Sequence, residues 1–227
     1  MPPHQRGSGL NGDFSTDVHA VINYKSTIAR LLKEQKFQEL DCLADRARSG
    51  KERFPGGDWN LHTLYGGLYS PNQYPVIHTT GEEWNTYLQL LQKWVTARPK
   101  SVTGRVALAR SYLNYAYDAS GEGSSNTVSD SGWKLFAART AEGKRILDAA
   151  KALSTKCPEW YDGMLLVAQN QGWRASDARA LKGHGRGRQD RREQSSCHVF
   201  VRETAGTPAR KGDAVSAATP SPLLGKA

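Results

Sequence analysis

Cysteine is scarce in this chain of 227 residues. The three cysteines, Cys42, Cys157 and Cys197, lie far apart, and none belongs to a CxxC pair. Neither a zinc site of the cysteine type nor a framework of disulfides is therefore indicated. No apolar run approaches the length of a transmembrane helix, and the first residues lack the apolar core of a signal peptide. From these absences we predict a cytoplasmic location.

The motifs of common enzyme classes are missing as well. The sequence has no GxSxG, no P-loop and no GxGxxG that precedes a helix. Two histidines and two acids lie near one another, without the HExxH spacing that puts two metal ligands on one helix turn: Asp58, His62, His78 and Glu82. We predict that the chain is not an enzyme and has no cofactor or metal, with a hydrolase as a remote alternative.

Strict alternation of apolar and polar residues, which is typical of half-buried strands, is also lacking. Apolar residues instead recur at helical spacing, which predicts about six helices between residues 25 and 172 and essentially no sheet. Several local signals set the expected helix ends: Asp58 as a cap, Gly50 as a stop, Thr80 with Glu83 as a capping box, and Pro158 in a first turn. Residues 118–132 read as a long polar loop. We predict an all-α fold of antiparallel helical hairpins.

Composition divides the chain into three parts. Residues 1–16, which contain Gly, Ser and Pro, are predicted to be a disordered N-terminus, and residues 17–181 a helical hairpin domain. Residues 182–227 are predicted to be a basic disordered tail. The tail carries nine Lys and Arg against four Asp and Glu, a net charge of +5, and the remainder of the chain carries +4. The basic character therefore belongs largely to the tail.

Two interpretations of this tail stay open. In "HGRGRQDRR" arginines alternate with glycines, as in a flexible cationic strand that follows a phosphate backbone. If the tail is native, the expected phosphate contacts are Arg186, Arg188, Arg191 and Arg192. The genetic code offers the other interpretation: one base forward, a GC-rich gene would encode an alanine-rich helix former here. A partner for the helix at 158–171 is needed at this point, so we favour out-of-frame translation, or a truncated gene, over an evolved tail that binds nucleic acid.

Two resemblances add to this reading. Arg105-x2-Leu108-Ala109-x2-Tyr112 and Gly143-x3-Leu147-x2-Ala150 resemble the spacings of the two helices of a tetratricopeptide hairpin, and imply a divergent tetratricopeptide-like array. "EEWNTYLQLLQKWVTARPKSVTGRVALARSYLNYAY" and "CPEWYDGMLLVAQNQGW" resemble the bacterial domain-of-unknown-function 4034 family, over roughly residues 25–181. That resemblance implies a helical fold and no established activity.

A partner-binding surface is the remaining expectation. Aromatic residues in "GDWNLHTLYGGLYSPNQY" are the candidates for the rim of a groove, with packing against a neighbouring hairpin as the alternative: Trp59, Tyr65, Tyr69 and Tyr74. The last helix is expected to need an apolar cover over Met164, Leu165, Leu166 and Ala168. We predict a non-catalytic helical scaffold that binds protein or peptide partners.

Overall fold

The computed structural model describes residues 14–72, 79–121, 125–153 and 157–181. Eight α-helices occupy these ranges: α1 (Phe14–Lys33), α2 (Phe37–Gly50), α3 (Asn60–Gly66), α4 (Gly81–Ala97), α5 (Val102–Ser120), α6 (Asp130–Lys151), α7 (Pro158–Asn170) and α8 (Ala175–Ala180). A short 3-10 turn, Ser125–Thr127, precedes α6. Within the described ranges the extended structure amounts to one isolated bridge, between Arg53 and Trp59. The predicted all-α class is confirmed.

Side-chain caps fix the beginnings of α4, α5 and α6. The side chain of Thr80 accepts a hydrogen bond from the backbone of Glu83, and Glu83 accepts one from the backbone of Thr80, so the predicted capping box at α4 is confirmed. Ser101 caps α5 through the N–H of Gly104. Ser129 caps α6 in the same way. Pro158 opens α7, where its missing N–H costs no helical hydrogen bond.

Four predicted boundaries are wrong or shifted. Asp58 does not cap α3, because Trp59 occupies the N-cap position there without a side-chain hydrogen bond. Gly50 is the last residue of α2, and Lys51 takes the left-handed cap conformation at φ 53°. The polar loop is shorter than 118–132, since α5 continues to Ser120 and α6 begins at Asp130. At the N-terminus α1 begins at Phe14, inside the segment predicted to be disordered. The remaining predicted disorder, in residues 1–13 and 182–227, lies outside the described residues.

Consecutive helices from α4 to α7 pack antiparallel. Trp84 stacks on Tyr115 with 5.0 Å between ring centroids, while the other end of α4 brings Trp94 against Gly104 at the start of α5. The α5–α6 pair makes the most extensive contact among the described helices, and a Cβ built on Gly143 would lie 3.1 Å from the carbonyl oxygen of Ala109. The indole of Trp160 in α7 donates to the carbonyl of Leu147 in α6 at 2.8 Å. These pairs confirm the predicted helical hairpins.

The centre of the core is α5. Its buried residues lie on every side of the helix, because α2, α4, α6 and α7 all pack against it. A helix with core on all sides has a weak amphipathic pattern, which is why its sequence alone does not reveal its central position. In this arrangement side chains from α3 and from the turn after it reach the start of α7.

The apolar face of α7, which we expected to lie uncovered, is mostly buried. Met164 and Ala168 are buried, and Leu166 packs partly buried against the core, so only Leu165 of the four residues is substantially exposed. The prediction that α7 presents an open apolar stripe is therefore wrong, because α5 and α6 already cover most of it. Among the described helices, none combines the length and the apolar content that a membrane span requires.

Candidate functional site

Of the residues predicted to form the rim of a groove, the three that the structure describes do not line one exposed surface. Trp59 is half-buried at the start of α3, and Tyr69 is half-buried in the turn after it. Tyr65 is fully buried, so its place on an exposed rim is a wrong prediction. It is buried because α3 turns this face towards α5 and α7. Tyr74 lies outside the described residues.

A different arrangement emerges where α3 meets the start of α7. His62 and Tyr65 are three residues apart on α3 and so lie on neighbouring positions of one helix face, and Tyr69 lies in the turn that follows α3. All three reach the first turn of α7, at Cys157 and Glu159. We call these five residues the clamp. It joins segments about 90 or more residues apart in the chain.

Glu159 is the centre of the outer half of the clamp. Its side chain is 5% exposed and accepts two hydrogen bonds, from His62 Nδ1 at 3.1 Å and from the hydroxyl of Tyr69 at 2.5 Å. The imidazole of His62 itself is 62% exposed. The hydrogen bond to Glu159 raises the pKa of His62 above its ordinary value, and the charges of Glu159 and Asp162 act in the same direction.

Arg110 of α5 contacts the outer half of the clamp. Its guanidinium lies 4.6 Å from the centroid of the Tyr69 ring and forms an ion pair with Asp162 of α7 at 2.7 Å. Burial raises the pKa of Tyr69 well above its ordinary value, and the charge of Glu159 raises it further. The Tyr69 hydroxyl therefore stays protonated and remains a donor to Glu159 throughout the physiological range.

The inner half of the clamp is fully buried. The hydroxyl of Tyr65 lies 3.4 Å from Sγ of Cys157, a free thiol at the N-cap position of α7. Burial raises the pKa of Tyr65 well above its ordinary value. Arg48 of α2 approaches the same region and donates to the hydroxyl of Thr103 at 3.0 Å. These contacts make the inner half a polar seam within the core.

Chemically, the clamp offers one exposed proton-exchanging group, His62, backed by a buried carboxylate. The Cys157 thiol has no exposed surface. In the described part of the chain, no group of three or more His, Cys, Asp or Glu side chains is placed to hold a metal ion. The described residues do not assemble a metal site from the four residues that lie near one another in the sequence, Asp58, His62, His78 and Glu82. His62 pairs with Glu159 instead, and His78 lies outside the described residues.

A second feature lies at the surface, where the end of α5 meets the start of α6. Tyr117 and Trp133 both make edge-to-face contacts with Phe136, at 5.6 Å between ring centroids. Trp133 is 41% exposed and Tyr117 39% exposed. The Tyr117 hydroxyl donates to Oδ1 of Asn170 at 2.7 Å, which ties the cluster to α7. We call Tyr117, Trp133 and Phe136 the aromatic patch.

Sequence reasoning missed both features, although each left a signal. In the clamp the signal is the i, i+3 spacing of His62 and Tyr65, which predicts a shared helix face but not its partner. In the patch it is the i, i+3 pair of Trp133 and Phe136 at the start of α6. The arginines predicted to contact phosphate, Arg186, Arg188, Arg191 and Arg192, lie outside the described residues, so nucleic-acid binding stays a prediction.

The described part of the chain is thus an all-α protein of antiparallel helix pairs, with a polar clamp inside and an aromatic patch outside. The chain belongs to the family of the domain of unknown function DUF4034, which matches residues 25–174. No curated protein and no solved structure matches the chain. Its tetratricopeptide-like character and a bacterial origin stay predictions.

Proposed function

We propose that this chain is a non-catalytic helical scaffold that binds a protein or peptide partner through the aromatic patch. The observation that carries the proposal is the exposure of two large rings packed around a third, at 41% for Trp133 and 39% for Tyr117. Aromatic side chains are enriched at the centres of protein interfaces, where they bury large apolar areas. Scattered exposed apolar residues are ordinary, whereas a contiguous ring cluster is not.

The geometry also suits binding at low entropic cost. Each ring of the patch contacts another ring, and Tyr117 is further fixed by its hydrogen bond to Asn170. Side chains that are already held in one conformation lose little freedom when a partner covers them. The α5–α6 pair beneath makes the most extensive contact between helices in the described structure, so the surface is presented on a firmly packed support.

Affinity capture with matched variants tests the proposal. The full-length chain, Trp133→Ala and Leu135→Ala would each be immobilised and exposed to a lysate of the source cells, with captured proteins quantified by mass spectrometry. Leu135 is the control, because it is 48% exposed on the same helix but points to a different side two residues further on. Far-UV circular dichroism confirms that each variant is folded.

We expect a specific partner that is retained by the wild type and by Leu135→Ala and is lost by Trp133→Ala. Equal capture by Trp133→Ala and the wild type would contradict the proposal, as would the absence of any partner that the variants distinguish.

A further inference from the structure

The clamp joins two parts of the molecule that otherwise pack with different neighbours. α3 lies against α1 and α2, and α7 lies against α5 and α6. His62, Tyr65 and Tyr69 bridge these parts by side-chain contacts to Cys157 and Glu159. A change in any of these contacts therefore acts on how firmly α3 is held against the start of α7.

Within the clamp, His62 is the group whose charge can change near neutral pH. Its imidazole is exposed, so protons exchange freely, while its partner Glu159 is almost fully buried. The tyrosines do not take part in titration, because burial keeps the pKa of both Tyr65 and Tyr69 well above the ordinary value.

The surrounding charges favour a proton on His62. From α7 it faces Glu159 and Asp162, and from α5 it faces Arg110, whose guanidinium is already paired with Asp162. Two further cations face α3 at other residues. Lys25 of α1 lies against Gly66, and Arg48 of α2 acts on buried Tyr65. The buried carboxylate of Glu159 thus has the imidazolium of His62 as its directly hydrogen-bonded cationic partner.

We propose that His62 is a pH-responsive latch: its protonated imidazole holds α3 on α7 through Glu159, and loss of the proton loosens this contact and uncovers Cys157. The direction follows from linkage. Because the hydrogen bond to Glu159 raises the pKa of His62 in the folded chain, its stabilising contribution is complete below the ordinary value of 6.5. The contribution is lost as the pH rises through the raised value.

Cys157 supplies the readout. Its thiol is free, fully buried and in contact with the Tyr65 hydroxyl, so a thiol reagent needs an opening of the structure around it, and opening of the clamp provides one. A pyridyl disulfide reagent, which reacts with thiols at acidic pH, would label the full-length chain, and peptide mass spectrometry would quantify the modification at Cys157 alone. The rate then measures how often α3 separates from α7.

The comparison uses the wild type, His62→Gln and His19→Gln at about pH 5.5 and about pH 9. His19 is an exposed histidine on α1 and serves as the matched control. Taking the ratio of variant to wild type at one pH cancels the pH dependence of thiol chemistry. We expect His62→Gln to label several-fold faster than the wild type at the lower pH and at nearly the wild-type rate at the higher pH, with His19→Gln equal to the wild type at both.

A second variant keeps the test decisive. His62→Lys retains a cation opposite Glu159 at both pH values and should therefore keep Cys157 protected at both. Equal labelling of the wild type and His62→Gln at the lower pH, including none in either, would overturn the latch. A ratio that does not change with pH would overturn it as well.

Discussion

The clamp and the aromatic patch both contain a tyrosine with a hydrogen-bonded hydroxyl, yet the surroundings of the two hydroxyls differ. In the clamp Tyr69 donates to the buried carboxylate of Glu159, whereas in the patch Tyr117 donates to Asn170 and keeps 39% of its surface exposed. A buried acceptor that loses its donor cannot turn to water, but an exposed one can. The comparison teaches that the same residue type can join two segments of the chain in the interior in one place and stay exposed at the surface in the other, where we propose that a partner binds.

A substitution in the core beneath both regions should lower the free energy of unfolding by more than any substitution within the clamp or the aromatic patch. Leu147 is fully buried in α6 and lies against Gly163 of α7. Leu147→Ala should lower the free energy of unfolding by about 2–5 kcal/mol, because it removes buried methyl groups and leaves a cavity. Urea denaturation followed by circular dichroism measures the change.

The exposed Leu135 provides the contrast on the same helix, and Leu135→Ala should change stability by less than about 0.5 kcal/mol. Similar losses for Leu147→Ala and Leu135→Ala would mean that α6 is not packed as described.

The two tyrosines can be compared directly by removing one oxygen atom from each. Tyr69→Phe should cost about 1.5–3 kcal/mol, since a hydrogen bond to a buried charged group is lost. Tyr117→Phe should cost about 0.5 kcal/mol or less, because water can replace its hydroxyl at Asn170. Denaturant unfolding near neutral pH gives both values, and equal costs would remove the distinction between the clamp and the patch.

Much of the fold was predictable from local signals in the sequence. The Thr80–Glu83 capping box, Pro158 at the start of α7 and the 3.6-residue spacing of apolar residues each act within one or two helical turns, so they predict helices wherever the rest of the chain lies. The error at residues 118–132 has a local cause too: polar side chains there suggested a loop, although Asp118 to Ser120 form the last residues of α5.

The clamp was not predictable in the same way. Glu159 lies 97 residues from His62, and nothing near either residue indicates that they meet. Tyr65 was predicted as a candidate for a groove rim, with packing against a neighbouring hairpin as the alternative, and the structure buries it completely, with its hydroxyl against Cys157. Burial of this kind depends on how helices are arranged, which short-range sequence patterns do not specify.

Hydrogen exchange in two variants tests the division between the clamp and the patch most directly. Backbone amide exchange would be measured by mass spectrometry at about pH 6 for the wild type, His62→Gln and Trp133→Ala. The account predicts that His62→Gln loses protection at residues 60–69 and 157–160, and that Trp133→Ala keeps the wild-type pattern throughout the described helices. Loss of protection in α5 and α6 on Trp133→Ala, with none at the clamp on His62→Gln, would contradict it.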